Sequence, residues 1–408
     1  MSKSLTRREF LKKSATVIAV GAVAPPWLAK VVRADTLRVA KGGKLPPSRT
    51  LVVCQLTGGN DGLNTVIPYT HMRYYTLRPV LAVKDGSGIA ISEDLALHPA
   101  LSGLKKLWDR KQLAILNGVG YPNPNRSHFR SMEIWQTAST DADERYGWLG
   151  RYLDDVADPK NPVLALSLGV QKEQALNARN VSVPTFASLA DIEAMVGDRD
   201  AEAALRAIQG MDSTEGSRLR EAQAATKAAL SAMAELNRNL SKYEPKREFG
   251  QDAFGAGFRQ IAHLIAVSPN TRVIYFSVGG FDTHSGQAAQ HQKLLRQFGD
   301  ALDTFLLELE DLGKADRVAV LVFSEFGRRV QENASAGTDH GAAGPMFVAG
   351  GAIKAGLHGT YPSLDDLDRG DLKYSLDFRR VYASVLSQWL GADAGSLLGK
   401  DYAPIELF

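Results

Sequence analysis

Three short clusters of acidic and histidine residues, each flanked by glycine, lie in the second half of the chain. They are Gly279-Gly280-Phe281-Asp282-Thr283-His284, Ser324-Glu325-Phe326-Gly327-Arg328 and Gly337-Thr338-Asp339-His340-Gly341. Carboxylates and neutral imidazoles together are typical ligands of divalent metal ions. The clusters therefore predict one or two divalent ions, without distinguishing Zn, Ca, Mg and Mn, and a metal-dependent enzyme rather than a binding module.

Apolar runs typical of buried strands precede the first two clusters. Val273-Ile274-Tyr275-Phe276 leads to Asp282, and Val318-Ala319-Val320-Leu321-Val322-Phe323 leads to Glu325. Ligands of open α/β sheets bind beyond the carboxyl ends of the strands, so these clusters should meet at one edge of a sheet. A third strand, Leu51 to Leu56, runs into the turn that carries Asp61. We predict as metal ligands Asp61, Asp282, His284, Glu325, Asp339 and His340.

Plainer roles are open to the same residues. Asp61 could serve only a β-turn, since Asn-Asp-Gly is typical turn sequence. Asp282 and His284 share one side of an extended segment and could hydrogen-bond to each other alone. Glu325, at a buried strand end, needs a partner, which could be Arg328 or the next arginine instead of a metal.

The segment Asn123 to His128 adds candidate catalytic groups. Ser127 lies where a helix should begin, so it could be a metal-activated nucleophile or an ordinary N-cap. His128 could bind metal or contact substrate. Arg328 could contact an anionic substrate, because its planar guanidinium matches phosphate or sulfate oxygens.

Charge and cysteine content restrict the function classes. Residues 1–34 carry seven of the 48 basic residues and one of the 45 acidic ones, so the remainder has 41 basic and 44 acidic residues, a net charge of −3. This remainder shows no basic excess that would indicate nucleic-acid binding. Cys54 is the single cysteine and lies in an apolar run, which favours a buried hydrophobic role over a disulfide.

The N-terminus has the features of an export signal. Thr6-Arg7-Arg8-Glu9-Phe10-Leu11-Lys12 is a twin-arginine pattern, followed by a short apolar stretch and a small-residue cleavage site near Ala34. We predict a signal peptide over residues 1–34, recognised by the twin-arginine translocation machinery, and a periplasmic or secreted mature protein. The apolar stretch is too short to predict a transmembrane helix, and none is predicted after processing.

The remaining chain alternates strand and helix signals. After a flexible lead-in over residues 35–49, the alternation predicts one α/β domain over residues 50–408, a three-layer sandwich with a mostly parallel sheet. Residues 198–245 are rich in Ala, Glu, Arg and Leu and predict an inserted pair of helices.

The motifs in combination resemble those of the exported bacterial proteins catalogued as domain of unknown function 1501. The resemblance covers roughly residues 48–392 and rests on Gly58-Gly59-Asn60-Asp61-Gly62-Leu63-Asn64, Ser127-His128-Phe129 and the three clusters. That family is similar in fold to the alkaline phosphatase and sulfatase superfamily, which implies two metal ions and a nucleophile at a helix N-terminus.

The resemblance assigns roles residue by residue. It implies Ser127 as nucleophile, Asp282, His284 and His340 as ligands of a first metal, and Glu325 as a ligand of a second. Asp61 matches the acid after the first strand, and we expect a second ion, or a single shared one, near Asp61 and Glu325 to activate Ser127. Where the superfamily usually has Asp-His, this chain has Glu325-Phe326, so one ligand of the second metal is missing. We expect an exported hydrolase of phosphate or sulfate esters acting on an anionic small molecule or glycan ester. The alternative is a non-catalytic envelope or glycan-binding protein that keeps the fold.

Overall fold

The computed structural model describes residues 49–158, 161–170, 172–190, 207–208, 210–212, 214, 218–400 and 402–408. The predicted signal peptide, the lead-in before Arg49 and much of the first predicted helix of the insertion lie outside these ranges. The second predicted helix of that segment is present as Arg218–Leu240. No helix within the described ranges is long and apolar enough to cross a membrane.

The elements follow the predicted alternation closely. The strands are β1 (Thr50–Leu56), β2 (Val66–Ile67), β3 (Ile89–Ala90), β4 (Ala96–Leu97), β5 (Leu113–Gly120), β6 (Ala165–Leu168), β7 (Thr185–Phe186), β8 (Val273–Val278), β9 (Val318–Phe323), β10 (Gly344–Gly350), β11 (Gly356–His358), β12 (Leu367–Asp368), β13 (Asp371–Leu372) and β14 (Leu376–Asp377). The α-helices are α1 (Gly62–Thr65), α2 (Met72–Leu77), α3 (Ser102–Asp109), α4 (His128–Thr137), α5 (Trp148–Val156), α6 (Arg218–Leu240), α7 (Ala253–Val267), α8 (Gln287–Asp311), α9 (Phe378–Ser384) and α10 (Ala394–Leu398).

The chain divides into two compact units. The smaller comprises the described residues within 143–244 and 263–275, and in it β6 pairs in parallel with β7. The larger comprises residues 49–142, 245–262 and 276–408 and contains every predicted site residue. Its strands run in the order β11-β5-β10-β9-β1, with β14 also beside β5.

The sheet of the larger unit is mixed, with parallel pairs predominating. Strand β1 pairs in parallel with β9, and β11 and β14 pair in parallel with β5. Strand β10 is antiparallel to both β5 and β9. The predicted α/β class with a mostly parallel sheet is confirmed. The antiparallel direction of β10 is the exception, and its sequence did not predict it.

Helices cover both faces of this sheet. Phe347 of β10 lies opposite Val322 of β9, and Phe298 of α8 packs against Phe347 at 6.1 Å between ring centroids. Phe323 follows Val322 and so points to the other face, where Trp135 of α4 stacks on it at 5.3 Å. The larger unit is therefore the three-layer sandwich that the sequence predicted.

Candidate metal centre

The loops that follow β1, β8 and β9 converge beyond the carboxyl ends of these strands. The backbone N–H of Thr57, after β1, donates to the carbonyl of Val278 at the end of β8. The backbone N–H of Gly58 donates to Glu325, two residues after β9, at 2.8 Å. The predicted meeting of these segments at one edge of the sheet is present.

Three imidazoles converge on one carboxylate at this edge. Oδ1 of Asp282 lies 3.4 Å from Nε2 of His128, 3.0 Å from Nε2 of His284 and 3.2 Å from Nε2 of His340. The Nε2 atoms of His284 and His340 are 3.0 Å apart. One ligand atom from each of His128, Asp282 and His340 falls within 4.8 Å of the others, a spacing that a single metal ion can bridge. We call Asp282 and the three histidines the His/Asp cluster.

An oxygen acceptor stands behind each imidazole. The Nδ1 partners are Oε1 of Glu325 for His128 at 2.8 Å, Oδ1 of Asp339 for His284 at 3.2 Å, and the Arg126 carbonyl for His340 at 2.8 Å. Because a carbonyl or carboxylate oxygen accepts, Nδ1 carries the proton in each ring and Nε2 keeps its lone pair toward the cluster. Metal-binding histidines are usually held this way.

The donor set fits a divalent ion. Nε2 of His128 is buried and has no hydrogen-bond partner within the described part of the chain. A buried, unpartnered nitrogen costs free energy unless something binds it. Three neutral imidazole nitrogens and one carboxylate oxygen are ligands that zinc and other first-row divalent ions accept.

The charges of the cluster are set by its neighbours. Burial raises the pKa of Asp282, but the hydrogen bond from the Arg328 guanidinium and the contact with His340 outweigh it and lower the pKa to about 2. The hydrogen bond to Glu325 raises the pKa of His128, whereas burial lowers that of His340. Asp282 is therefore a permanent anion at neutral pH.

Glu325 and Asp339, predicted as ligands, lie behind the imidazoles instead. Glu325 is fully buried, and its Oε1 accepts from both His128 and the Gly58 backbone. Asp339 accepts from His284, whose hydrogen bond lowers the pKa of Asp339. Their contacts orient ligands rather than supply them. The alternative ion pair between Glu325 and an arginine is not formed, because His128 takes that place.

Asp61 lies in a separate buried polar group. Its Oδ2 accepts from Arg78 at 2.6 Å and from Gln287, and the pKa of Asp61 is lowered because Arg78 outweighs the effect of burial. Oε1 of Gln287 in turn accepts from Thr338 at 2.6 Å, one residue before Asp339. Asp61 is therefore not among the converging side chains; it supports the loop that carries Asp339 and His340.

Arg328 is a structural clamp and not an exposed anion site. Its side chain is 0% exposed. Its donors reach the carbonyls of Gly58, Gly59, Phe281 and Thr338 and the carboxylate of Asp282. The guanidinium is already occupied in holding three loops together, and its contact with an anionic substrate stays a prediction.

Ser127 directly precedes the cluster residue His128 and is exposed. It is the residue before α4, and its side chain makes no capping hydrogen bond. Its backbone N–H is held instead by Oδ1 of Asn125 at 2.8 Å. The exposed hydroxyl is therefore left next to His128 at the N-terminus of a helix, where backbone N–H groups have no intrahelical partner. The N-cap alternative lacks its hydrogen bond.

Phe326 packs against the cluster. Its ring centroid is 4.9 Å from that of His128 and 4.7 Å from that of His340, and the side chain is buried. A Cβ on Gly59 would lie 2.3 Å from the Phe326 ring, so glycine there admits the phenylalanine. Sequence reasoning missed this packing, the Arg126 carbonyl, Arg78 and Gln287, since none of them carries a motif.

An α/β sandwich with a His/Asp cluster at its strand ends is thus the class that fold and site define. The family model described as "Protein of unknown function (DUF1501)" matches residues 107–397, and the chain belongs to this family. Among curated proteins, no sequence matches.

Several solved structures resemble the chain at low sequence identity. Ps i-CgsB is 9% identical with a TM-score of 0.40, and the match covers 86% of this chain and 74% of that one. A Vibrio parahaemolyticus protein in the alkaline phosphatase superfamily is 10% identical with a TM-score of 0.39, covering 98% and 78%. Alkaline phosphatase from the Antarctic bacterium TAB5 is 9% identical with a TM-score of 0.35, covering 77% and 95%.

Proposed function

We propose that the protein is an exported, metal-dependent hydrolase of phosphate or sulfate esters. One observation carries the proposal: three imidazoles, each fixed at Nδ1 by an oxygen acceptor, turn Nε2 toward the same carboxylate oxygen of Asp282. That arrangement is typical of a metal centre with its supporting shell. The periplasmic or secreted location, and passage through the twin-arginine machinery, are part of the proposal and rest on residues 1–34.

The cluster would hold one divalent ion through His128, His284, His340 and Asp282. Such an ion supplies Lewis acidity toward an ester oxygen. Glu325, Asp339 and the Arg126 carbonyl hold the imidazoles in the orientation described above. Arg328 fixes Asp282 by a 2.7 Å hydrogen bond.

Ser127 is the proposed nucleophile. Its hydroxyl is not used as a helix cap, and it precedes His128 directly. As its Oγ bonds to the phosphorus or sulfur atom, the bond from that atom to the ester oxygen would break, and the departing oxygen would take up the serine proton. Water would then release the phosphoryl or sulfuryl group and restore the hydroxyl of Ser127. The N-terminus of α4 would favour the negative charge of the bound group, because a helix dipole is positive there.

Metal analysis and ester turnover test this proposal together. We expect the purified full chain to bind about one zinc or manganese ion and to hydrolyse 4-nitrophenyl phosphate or 4-nitrophenyl sulfate. His340→Ala should lose the ion and the turnover, whereas Ser127→Ala should lose turnover alone. His358→Ala is the matched control, since this histidine lies outside the His/Asp cluster and its ring hydrogen-bonds to the Lys354 carbonyl. Absence of both ion and turnover in the metal-supplemented chain would overturn the proposal.

A second candidate is a non-catalytic envelope or glycan-binding protein that keeps the fold. The burial of Arg328 favours it, because this guanidinium is engaged by Asp282 and has no exposed surface to offer an anionic substrate. In that case the chain would bind metal as above, but it would turn over neither ester, and Ser127→Ala would leave ligand binding unchanged.

A further inference from the structure

The segment that joins β5 to α4 carries Ser127 at its end. Residues 121–127, which we call the Ser127 loop, read Tyr-Pro-Asn-Pro-Asn-Arg-Ser and form neither strand nor helix. Pro122 and Pro124 have no backbone N–H to donate, so a regular backbone ladder cannot fix this loop. The position of Ser127 must therefore depend on side-chain contacts.

Tyr121 is the fixed first residue of the Ser127 loop. It directly follows Gly120, the last residue of β5, and is only 2% exposed. Its ring lies edge-to-face with that of Phe378, with 5.8 Å between the ring centroids. Phe378 directly follows β14, which pairs with β5. Because both rings follow paired strands, the Tyr121 hydroxyl has a fixed place beside the loop.

Two consecutive hydrogen bonds connect this hydroxyl to Ser127. The Tyr121 hydroxyl oxygen accepts from the backbone N–H of Asn125 at 2.8 Å. Oδ1 of the same asparagine accepts from the backbone N–H of Ser127 at 2.8 Å. Asn125 and Ser127 are both exposed, so the buried tyrosine is the inner anchor of the pair.

The other side of the hydroxyl faces the segment that supports the cluster. The Tyr121 oxygen is 3.4 Å from Oγ of Ser131, and this buried serine donates to the backbone carbonyl of Glu325. A tyrosine hydroxyl both donates and accepts, so Tyr121 can donate to Ser131 while it accepts from Asn125. Glu325 is the carboxylate that accepts from His128. The hydroxyl therefore lies between the Ser127 loop and the residue that orients a cluster histidine.

Packing alone does not explain a tyrosine at this position. The edge-to-face contact with Phe378 needs only the ring, which phenylalanine would supply equally well. A buried hydroxyl costs free energy unless it is hydrogen-bonded, and the bonds that Tyr121 makes go to the Ser127 loop and to α4. The hydroxyl is thus explained by what it holds.

We infer that Tyr121 is a positioning residue for Ser127: its hydroxyl holds the Ser127 loop in place relative to Glu325, and so relative to the His128 side of the cluster. The effect on catalysis rests on the proposed function, in which Ser127 attacks the ester, whereas the holding of the loop does not. Displacing a reacting group by about 1 Å can cost roughly 100-fold in rate. The consequence should be a lower kcat, with substrate and metal affinity preserved.

Tyr121→Phe tests the inference because it removes the hydroxyl and leaves the ring against Phe378. We expect kcat for 4-nitrophenyl phosphate or sulfate to fall by about 10- to 100-fold, with KM and zinc affinity unchanged. Tyr361→Phe is the matched control, since it removes another partly buried hydroxyl, which donates to the Val66 carbonyl at 2.7 Å. The control should keep the kcat of the parent.

A pair of changes at Asn125 tests the outer hydrogen bond. Asn125→Asp keeps an oxygen that can accept from the Ser127 backbone, whereas Asn125→Ala removes it. We expect kcat near that of the parent for Asn125→Asp and a clear fall for Asn125→Ala. Equal activity of the two variants would overturn the route through Asn125.

Hydrogen exchange followed by mass spectrometry separates the inference from the proposed hydrolysis. In Tyr121→Phe the amides of residues 123–127 should exchange roughly fivefold faster, the factor expected for one ordinary hydrogen bond, while residues 337–341 exchange as in the parent. If the parent turns over no ester, the proposed function fails and exchange alone decides whether Tyr121 holds the loop. Unchanged exchange, an unchanged kcat in an active enzyme, an equal fall in Tyr361→Phe, or a parallel loss of zinc affinity would each overturn the positioning role.

Discussion

Replacing Glu325 by glutamine should weaken metal binding while the chain stays folded. The carboxylate accepts from His128 and from the Gly58 backbone through one oxygen, each at 2.8 Å. Glutamine has the same shape, and its amide oxygen can still accept, but it lacks the negative charge that makes the imidazole a stronger donor toward the ion. Charge-assisted hydrogen bonds are about twice as strong as neutral ones.

The expected loss follows from the role of an orienting group. Removing such a partner of a metal-binding histidine lowers metal affinity by about 10- to 100-fold. That range corresponds to roughly 1.4 to 2.8 kcal/mol. Unfolding should become easier by only about 1 to 2 kcal/mol, because no buried donor loses its acceptor.

Competition against a chromophoric zinc chelator measures the affinity, and urea unfolding measures the stability. Asp339→Asn is the matching change behind His284. We expect a smaller loss of metal affinity from it, because the Asp339 side chain is 58% exposed. Unchanged affinity in Glu325→Gln would refute the orienting role. A loss equal to that of His340→Ala would place Glu325 among the ligands themselves.

Three further results are expected. Arg328→Lys should lower the free energy of unfolding by about 2 to 5 kcal/mol in urea, because one ammonium cannot satisfy several buried carbonyls; a raised KM with unchanged stability would indicate substrate contact instead. Ser127→Ala should change unfolding by less than about 0.5 kcal/mol, whereas loss of a true N-cap costs about 1 kcal/mol. Burial lowers the pKa of His291 in the folded chain to about 4, although the nearby Asp61 acts in the opposite direction. As the pH falls from about 6.5 to about 4, this histidine is therefore protonated in the unfolded chain but not in the folded one, and the free energy of unfolding falls. His291→Gln should remove up to about 3 kcal/mol of this dependence of stability on pH. If parent and variant have the same urea midpoint both near pH 6.5 and near pH 4, the prediction is wrong.

The sequence predicted most of the sheet because its strands are continuous apolar runs. Residues Val318–Phe323 are buried throughout, as their composition indicates. The direction of β10 could not be predicted, because the segment between Phe323 and Gly344 is long enough for β10 to run either parallel or antiparallel to β9. The pairing of Phe347 with Val322 belongs to the register that makes β10 antiparallel to β9.

The sequence also predicted which residues lie at the site better than it predicted the position of each residue within the site. Asp282, His284 and His340 converge, and His128 joins them; its role as a metal ligand stays a proposal. Glu325 and Asp339 have the same chemistry as ligands, so their type and spacing could not distinguish a ligand from the group behind it. That distinction depends on which ring nitrogen each carboxylate contacts, in a histidine that is far away in the sequence.

The arrangement favours one ion over two. The resemblance placed Asp61 and Glu325 at a second ion, but one pairs with Arg78 and the other with His128. Phe326, in the position of the missing ligand, covers the flank of the cluster with a ring that cannot bind metal. All three departures withdraw ligands from the same second ion and leave the proposed ligands of the first ion and their supports in place. We therefore propose that the chemistry of this chain uses a single ion.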